Sequence, residues 1–373
     1  MIFAVPREAA SKERRVALVP ETVSKFVKSG ISVRVQRGAG TAAAFPDDLY
    51  TAAGATIVDD PRQLVAEADA VLTVGRPSPE TLGALRPGTV VVGFLNPLGD
   101  PAYLADLARA GVTALAMEMI PRITRAQSMD ALSSQSNIAG YKAVLLGAAT
   151  LPKFFPMLTT AAGTIPPAKV LVLGAGVAGL QAIATARRLG AVVSGYDVRA
   201  VVKEQVQSLG ATFLEFDLGG DAEGAGGYAK ELTPEQQERQ RAWMVEQIGA
   251  NDVVITTALV PGRKAPILVS EAAVAAMKPG SVIVDIAAEA GGNCALTKAD
   301  EIVTSGNGVA IVGTTNLPST MPYHASQLYS RNINALLSPW IKDGVLTIDM
   351  NDDVAKGACV VHAGNALVGG PAS

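Results

Sequence analysis

Residues 169–199 limit what this chain can fold into more than any other stretch. Lys-Val-Leu-Val-Leu leads into Gly174-Ala-Gly176-Val-Ala-Gly179, then an apolar-periodic segment to Leu189, Gly190, and Ala-Val-Val-Ser-Gly-Tyr-Asp197. A short apolar run ending in glycine is too brief for a helix and reads as a buried parallel strand that turns sharply at Gly174. Gly176 removes the side chain where a pyrophosphate would approach the backbone, and Gly179 lets the next helix pack closely on the strand. That helix, opening at Val177 and Ala178, points free N–H groups and its positive dipole end at phosphate. Gly190 caps its far end. Asp197 closes the second strand, 23 residues after Gly174 (197 − 174), where a carboxylate accepts hydrogen bonds from the adenine ribose hydroxyls. It would repel a 2′-phosphate, so NAD(H) is expected over NADP(H). Val198 and Arg199 complete the strand tip, and an arginine there is also how such folds accept the phosphate. The same glycines would suit a turn that binds nothing, but strand, turn, helix, strand and acid fall in order.

The length of 373 residues suits two domains, each with its own core. With 49% hydrophobic and 17% charged residues the chain reads as a soluble α/β protein, and its net charge of −3 offers no basic face for nucleic acid. The first 15 residues lack the apolar core of a signal peptide. The most apolar long window, 139–162, is broken by Lys142, Pro152, Lys153 and Pro156 and does not span a bilayer. Two cysteines, Cys294 and Cys359, suit a reducing cytoplasm. Cys294 could be a nucleophile, but no histidine is near it in sequence and a buried structural thiol is the simpler reading.

Short apolar strands alternate with helical patterns from the start: strands at 2–5, 31–35, 56–58, 70–74, 90–94 and 112–115, helices at 20–29, 47–53, 61–66 and 101–110. This predicts a first parallel α/β domain, without a glycine fingerprint of its own. Residues 121–136 then form a polar, hydroxyl-rich loop before an apolar helix from about 137 to 151; the loop's place in the chain predicts that it lies at the mouth of an interdomain cleft. After Asp197 a third strand begins at Phe213. Residues 219–241 break the pattern with a glycine-rich run holding Tyr228 and then a charged helix. Tyr228 suits a surface loop or a lid over a ligand equally. Strands resume at 252–256, 281–286 and 309–312, and their C-terminal ends carry Thr257, Ala258 and Leu259 and residues 285–292, where ligands of such sheets bind. A helix at 326–337, stopped by Pro339, and a final strand at 345–348 return to the first domain. The expected division is 1–125 with 320–373, and a Rossmann dinucleotide-binding domain at 126–319, each a largely parallel doubly wound sheet.

Only two histidines, His324 and His362, are present, and no metal-ligand spacing occurs. Oxidising an alcohol or amine moves a proton with the hydride and needs a general acid or base. Hydride passage between two nicotinamides needs only close contact and exclusion of water. A redox nucleotide site with no evident proton carrier therefore hints at a partner nucleotide rather than a small substrate.

Over its whole length the chain resembles the NAD(H)-binding component, domain I or alpha subunit, of proton-translocating nicotinamide nucleotide transhydrogenase, in the alanine dehydrogenase superfamily. The resemblance rests on Pro6-Arg-Glu8 with Arg14-Arg15-Val-Ala, Ala116-Met-Glu-Met-Ile-Pro-Arg122, Arg125-Ala-Gln-Ser-Met-Asp130, Ser133-Ser-Gln-Ser-Asn-Ile-Ala-Gly-Tyr141, Thr160-Ala-Ala-Gly-Thr-Ile-Pro-Pro-Ala168, the glycine turn, Gly227-Tyr-Ala-Lys-Glu231, Ile255-Thr-Thr-Ala-Leu-Val-Pro-Gly262 and Glu289-Ala-Gly-Gly-Asn-Cys294. It implies that Arg122 and the Asp130/Ser133 pair fix the nicotinamide carboxamide and ribose, that Gln127 reaches toward the partner's nucleotide, and that Tyr228 folds over the site. It also implies a homodimer docked on membrane-embedded subunits, among them a beta subunit holding NADP(H), with this chain on the inner face of the cell membrane and no transmembrane segment of its own. Two departures weaken an amino-acid substrate: Arg76 stands where alanine dehydrogenases carry a substrate lysine, and Asn96 about where their acid/base histidine would stand. Near Thr314 and Thr320 the chain differs from some relatives. The rival readings are a soluble amino-acid dehydrogenase of the alanine type and a non-catalytic, NAD-responsive binding module.

Overall fold

The computed structural model describes residues 1–216, 233–259 and 262–367. By internal contacts the chain divides into one unit of residues 1–135 and 318–373 and another of residues 136–317. Both are built on largely parallel sheets, as the alternating pattern predicts.

In the first unit β1 (Ile2–Val5), β2 (Ser32–Gln36), β3 (Thr56–Val58), β4 (Ala70–Leu72), β5 (Val90–Gly93) and β6 (Thr113–Ala116) pair in the order β6-β5-β4-β1-β2-β3, all parallel. Helices such as Pro20–Lys28 and Pro101–Arg109 alternate with them, several opening on proline, whose fixed φ suits a first helical position. Because both faces are covered, successive side chains go to different cores: Phe3 and Val5 pack with Phe26 and Tyr329, Ala4 with Leu64 and Val71. A one-turn helix, Pro79–Gly83, follows β4 and is too short to leave a periodic signal.

The loop expected at 121–136 is largely helical. A 3-10 segment spans Thr124–Met129 and the long helix opens at Ala131 rather than near 137, running to Thr150. Its start is set by Asp130, whose Oδ1 accepts the Ser133 N–H at 2.8 Å, an N-cap contact that the loop's polarity disguised in the sequence.

The second unit opens with a hairpin, β7 (Leu158–Thr160) and β8 (Gly163–Ile165), in a stretch expected only as a connector. The main strands follow: β9 (Lys169–Leu173), β10 (Val192–Tyr196), β11 (Thr212–Phe213), β12 (Val253–Thr256), β13 (Val282–Asp285), β14 (Ile302–Thr304) and β15 (Ala310–Val312), ordered β11-β10-β9-β12-β13-β15-β14. Only β14 is antiparallel, an edge strand that the apolar alternation did not reveal. Val170 and Val172 of β9 pack on one face and Leu171 and Leu173 on the other, which is why this strand reads as an unbroken apolar run.

At the C-terminus β16 (Ile341–Lys342) and β17 (Val345–Leu346) form a separate two-stranded hairpin. The expected final strand at 345–348 is therefore not the one that completes the first sheet. That role falls to β18 (Cys359–His362), antiparallel to β6, with β19 (Asn365–Ala366) at its edge. The short, apolar β18 buries Cys359, Val360 and Val361, whereas Val345 is exposed.

Candidate functional site

In the second unit the strand order reverses between β9 and β12, the point at which open α/β sheets bind ligands beyond their carboxyl ends. Leu173 pairs with Thr256 in the ladder. One residue further Gly174 turns with φ +98°, where other residues are strained. Thr257 clasps the turn: its N–H donates to the Leu173 carbonyl at 2.9 Å and its hydroxyl to the Gly174 carbonyl at 3.2 Å.

The three fingerprint glycines have different causes. A Cβ on Gly179 would overlap the Gly174 carbonyl oxygen, and one on Gly174 would overlap the Thr257 hydroxyl, so both are demanded by the fold. Gly176 is not. Its backbone is ordinary extended chain (φ −77°, ψ −167°), and a Cβ there would meet nothing among the described residues within 4 Å. The protein gains nothing internally from a missing side chain at this position; a ligand drawn against the backbone would. Gly176 is also the N-cap of the helix Val177–Arg188 and brings no side chain to cap it, leaving the first N–H groups of Val177, Ala178 and Gly179 facing outward.

Asp197 lies just beyond β10 and reaches back to the turn, its Oδ2 accepting the Ala175 N–H at 2.8 Å. Burial alone would raise its carboxyl, but the Arg199 guanidinium and the backbone donors outweigh it and hold the group below the usual carboxylate range. The acid, the bare backbone and the open helix end are thus joined by one hydrogen bond, and these residues fit a dinucleotide. Val198 and Leu259 are exposed beside them, while Ala258 is pinned by Asn293, which donates to its carbonyl at 2.9 Å and accepts its N–H at 3.0 Å.

Sequence reasoning did not single out Asp285. Fully buried, it accepts five hydrogen bonds: Thr256 hydroxyl (2.9 Å) and Ala287 N–H (3.0 Å) on Oδ1, and Asn293 N–H (2.7 Å), Cys294 N–H (3.0 Å) and Thr297 hydroxyl (2.6 Å) on Oδ2. It ties the ends of β12 and β13 to the segment that positions Asn293. An acid closing an apolar strand was the available signal. Cys294 is buried in the same knot, and burial pushes its thiol up, away from nucleophilic use. Gly140 was also missed: a Cβ there would overlap the Ala178 carbonyl, so the helix Ala131–Thr150 lies directly against the first turn after Gly176.

The remaining candidates lie in the first unit, apart from Tyr228, which falls outside the described residues. Arg122 and Gln127 are exposed. Asp130 and Ser133 are joined twice, Asp130 Oδ2 also accepting the Ser133 hydroxyl at 2.6 Å. Asn332 holds the segment from behind, donating to the Ser128 carbonyl at 2.8 Å and accepting the Ser134 hydroxyl at 2.7 Å. Arg125 is committed to Asp352 by two hydrogen bonds. The 3-10 segment is therefore an anchored platform presenting Gln127.

The first unit has its own reversal, between β1 and β4, and fills it internally. Glu8 accepts the Val74 N–H at 2.7 Å and the Gly75 N–H at 2.9 Å. Burial pushes its carboxyl up to about 7 against these two donors, although the residue keeps some exposed surface. Arg76 is likewise occupied: it donates to the Leu95 carbonyl (3.0 Å) and Asp100 (2.7 Å) and lies over the Tyr103 ring at 4.5 Å.

Two doubly wound sheets, one ending in a complete phosphate turn with its ribose acid, define a two-unit α/β protein of the dinucleotide-binding fold. The chain belongs to the alanine dehydrogenase/PNT family: residues 4–139 match the profile described as "Alanine dehydrogenase/PNT, N-terminal domain" and residues 143–368 that of the C-terminal domain. It is 48% identical to a Rhodospirillum rubrum protein named as an NAD(P) transhydrogenase subunit alpha, over 98% of this chain and 97% of that protein. It is 33% identical to the alanine dehydrogenase of Bacillus subtilis, over 86% and 81% of the two chains. Among solved structures, the transhydrogenase from Sinorhizobium meliloti superposes with a TM-score of 0.88 at 43% identity, covering 98% of this chain and 100% of the other. The resemblance carried by the motifs is borne out.

Proposed function

We propose that this chain is the NAD(H)-binding subunit of a proton-translocating transhydrogenase, passing hydride directly between NADH and NADP⁺ held on a partner subunit. The open Gly176 backbone carries the nucleotide part of this reading, because the described residues offer no other reason for a glycine there. When bound, the dinucleotide supplies the hydride. The chain's own residues do the rest: Gly174, Gly176 and the N–H groups of Val177 to Gly179 hold the pyrophosphate, and Asp197 selects the unphosphorylated ribose, flanked by Val198 and Arg199. Thr257, Ala258 and Leu259 border the turn. Arg122, Asp130 and Ser133 orient the nicotinamide end, Gln127 reaches toward the partner's nucleotide, and Tyr228 excludes water.

The likeness to proteins named transhydrogenase alpha supports this choice over an amino-acid dehydrogenase, and so does the internal commitment of Arg76. With Asn96 at the other position, neither a free cation nor an acid/base group stands at the two places where the alanine enzymes are distinctive. Coupling to proton movement then belongs to membrane subunits. Among the described residues no helix is long and apolar enough to cross a membrane, in keeping with a chain held at the inner face by its partners. A homodimer is supported by the hairpin β7–β8, which pairs with no other strand and lies beside exposed Phe154, Met157 and Ile165.

The test is reconstitution. The purified chain should bind NADH, turn over neither alanine nor another amino acid with NAD⁺, and reduce an NADP⁺ analogue only once the NADP(H)-binding subunit is added. Amino-acid turnover by the chain alone would overturn the proposal.

A further inference from the structure

The Asp197 carboxylate is fully engaged by the chain itself. Oδ1 accepts the Arg199 N–H at 2.9 Å and its Nε–H at 3.0 Å; Oδ2 accepts Arg199 Nη2 at 2.9 Å and the Ala175 N–H at 2.8 Å. Ribose hydroxyls can reach this acid only by displacing the guanidinium. The two partners differ in freedom: the Asp197 side chain is 7% exposed and that of Arg199 56%. Among the described residues every hydrogen bond of Arg199's side chain runs to Asp197, so the arginine is the part that moves. A released guanidinium is a planar, permanently charged partner for phosphate, and an arginine at this strand tip is the device by which such folds accept a 2′-phosphate.

We propose that Arg199 is a latent 2′-phosphate receptor which Asp197 keeps closed, so that the pair, rather than the acid alone, determines which dinucleotide this unit takes. The proposal rests on the dinucleotide reading above. With an unphosphorylated ribose, the hydroxyls take the carboxylate and the guanidinium swings outward. With a phosphorylated one, the carboxylate repels the ligand and detains the group that would bind it. Removing the acid's charge both lifts the repulsion and frees the receptor.

The experiment titrates the full chain with NADH, NADPH, 2′-AMP and 5′-AMP by calorimetry, in wild type, D197N, R199A and the double variant. Wild type should hold NADH at least about tenfold tighter than NADPH. D197N should lose NADH affinity and gain NADPH and 2′-AMP about tenfold or more, the gain shrinking steeply with salt, and the double variant should lose that gain. R199A alone should widen the NADH-to-NADPH ratio; because its side chain is exposed, this arm decides the matter even if D197N does not fold. The inference is overturned by a D197N that gains nothing, a double variant that keeps the gain, or an unchanged ratio in R199A. A gain of 2′-AMP that depends on Arg199 supports the receptor whatever happens at the nicotinamide end. A wild type blind to both dinucleotides and to 5′-AMP overturns the nucleotide reading itself, and the inference with it.

Discussion

Single alanine substitutions at Gly174, Gly176 and Gly179 separate a ligand cradle from a mere turn. At Gly176 the backbone already sits where alanine is comfortable, and nothing described lies within 4 Å of the added carbon. Gly176→Ala should therefore leave stability unchanged or raise it by about 0.4–1 kcal/mol, through the unfolded chain. Gly174→Ala meets the Thr257 hydroxyl at a φ of +98°, combining a left-handed cost of about 1–2 kcal/mol with overpacking of about 1–3 kcal/mol. Gly179→Ala collides with a backbone carbonyl that cannot rotate away and should cost at least as much. Binding should rank differently. If a pyrophosphate lies against Gly176, the methyl intrudes on it at the same overpacking cost of about 1–3 kcal/mol, a loss of roughly 5- to 150-fold in NADH affinity. Urea unfolding and NADH fluorescence titration on the three variants give both rankings. A Gly176→Ala protein that is stable and binds NADH as wild type does would refute the argument, because the glycine would then serve neither fold nor ligand.

Three further outcomes are expected. Glu8 has a folded pKa near 7 against 4.5 when unfolded, so the folded state holds its proton better and stability falls as pH rises from about 4.5 to 7, by at most about 3 kcal/mol at 1.36 kcal/mol per unit; Glu8→Gln should remove that part of the slope, and parallel urea midpoints for the two proteins across pH 4.5–8 would contradict it. Asp285→Asn replaces an acceptor-only group with one whose amide N–H atoms face buried donors, and should destabilise the second unit by about 2–4 kcal/mol, read as a lower urea midpoint with Cys294 becoming reactive to a thiol reagent under milder conditions. Gln127→Asn shortens an exposed side chain on an anchored platform, so NADH affinity should hold while hydride transfer in the reconstituted system falls about tenfold or more; equal transfer rates would remove Gln127 from its assigned role.

What could be read in the sequence was whatever repeats at a fixed spacing. The parallel strands of both units are buried on two faces and so announce themselves as apolar runs, and the order of glycines and acid from 174 to 197 prescribes one local path. The short elements escaped because a two- or three-residue strand such as β14 or β17 leaves no period, and because the pairing partner, not the strand itself, decides whether it closes a sheet. Residues 121–136 misled for another reason: hydroxyls and acids that mark loops also cap helices, and only Asp130 bonding back to Ser133 shows which is meant. Asp285 and Asn293 lie far from the turn in sequence, and their purpose exists only once β12 and β13 are side by side.

The carboxylate of Glu8 has a broader meaning. A sheet whose strand order doubles back leaves amide hydrogens stranded at one edge, and some oxygen has to meet them. In the first unit the chain furnishes that oxygen itself and becomes, in effect, its own inhibitor; in the second it furnishes none, and the amides are left to a guest. One architecture can thus serve as scaffold or as receptacle depending on whether a single acidic side chain is long enough to stopper it, which suggests that Glu8→Ala would be the first step in teaching the scaffold to bind an anion.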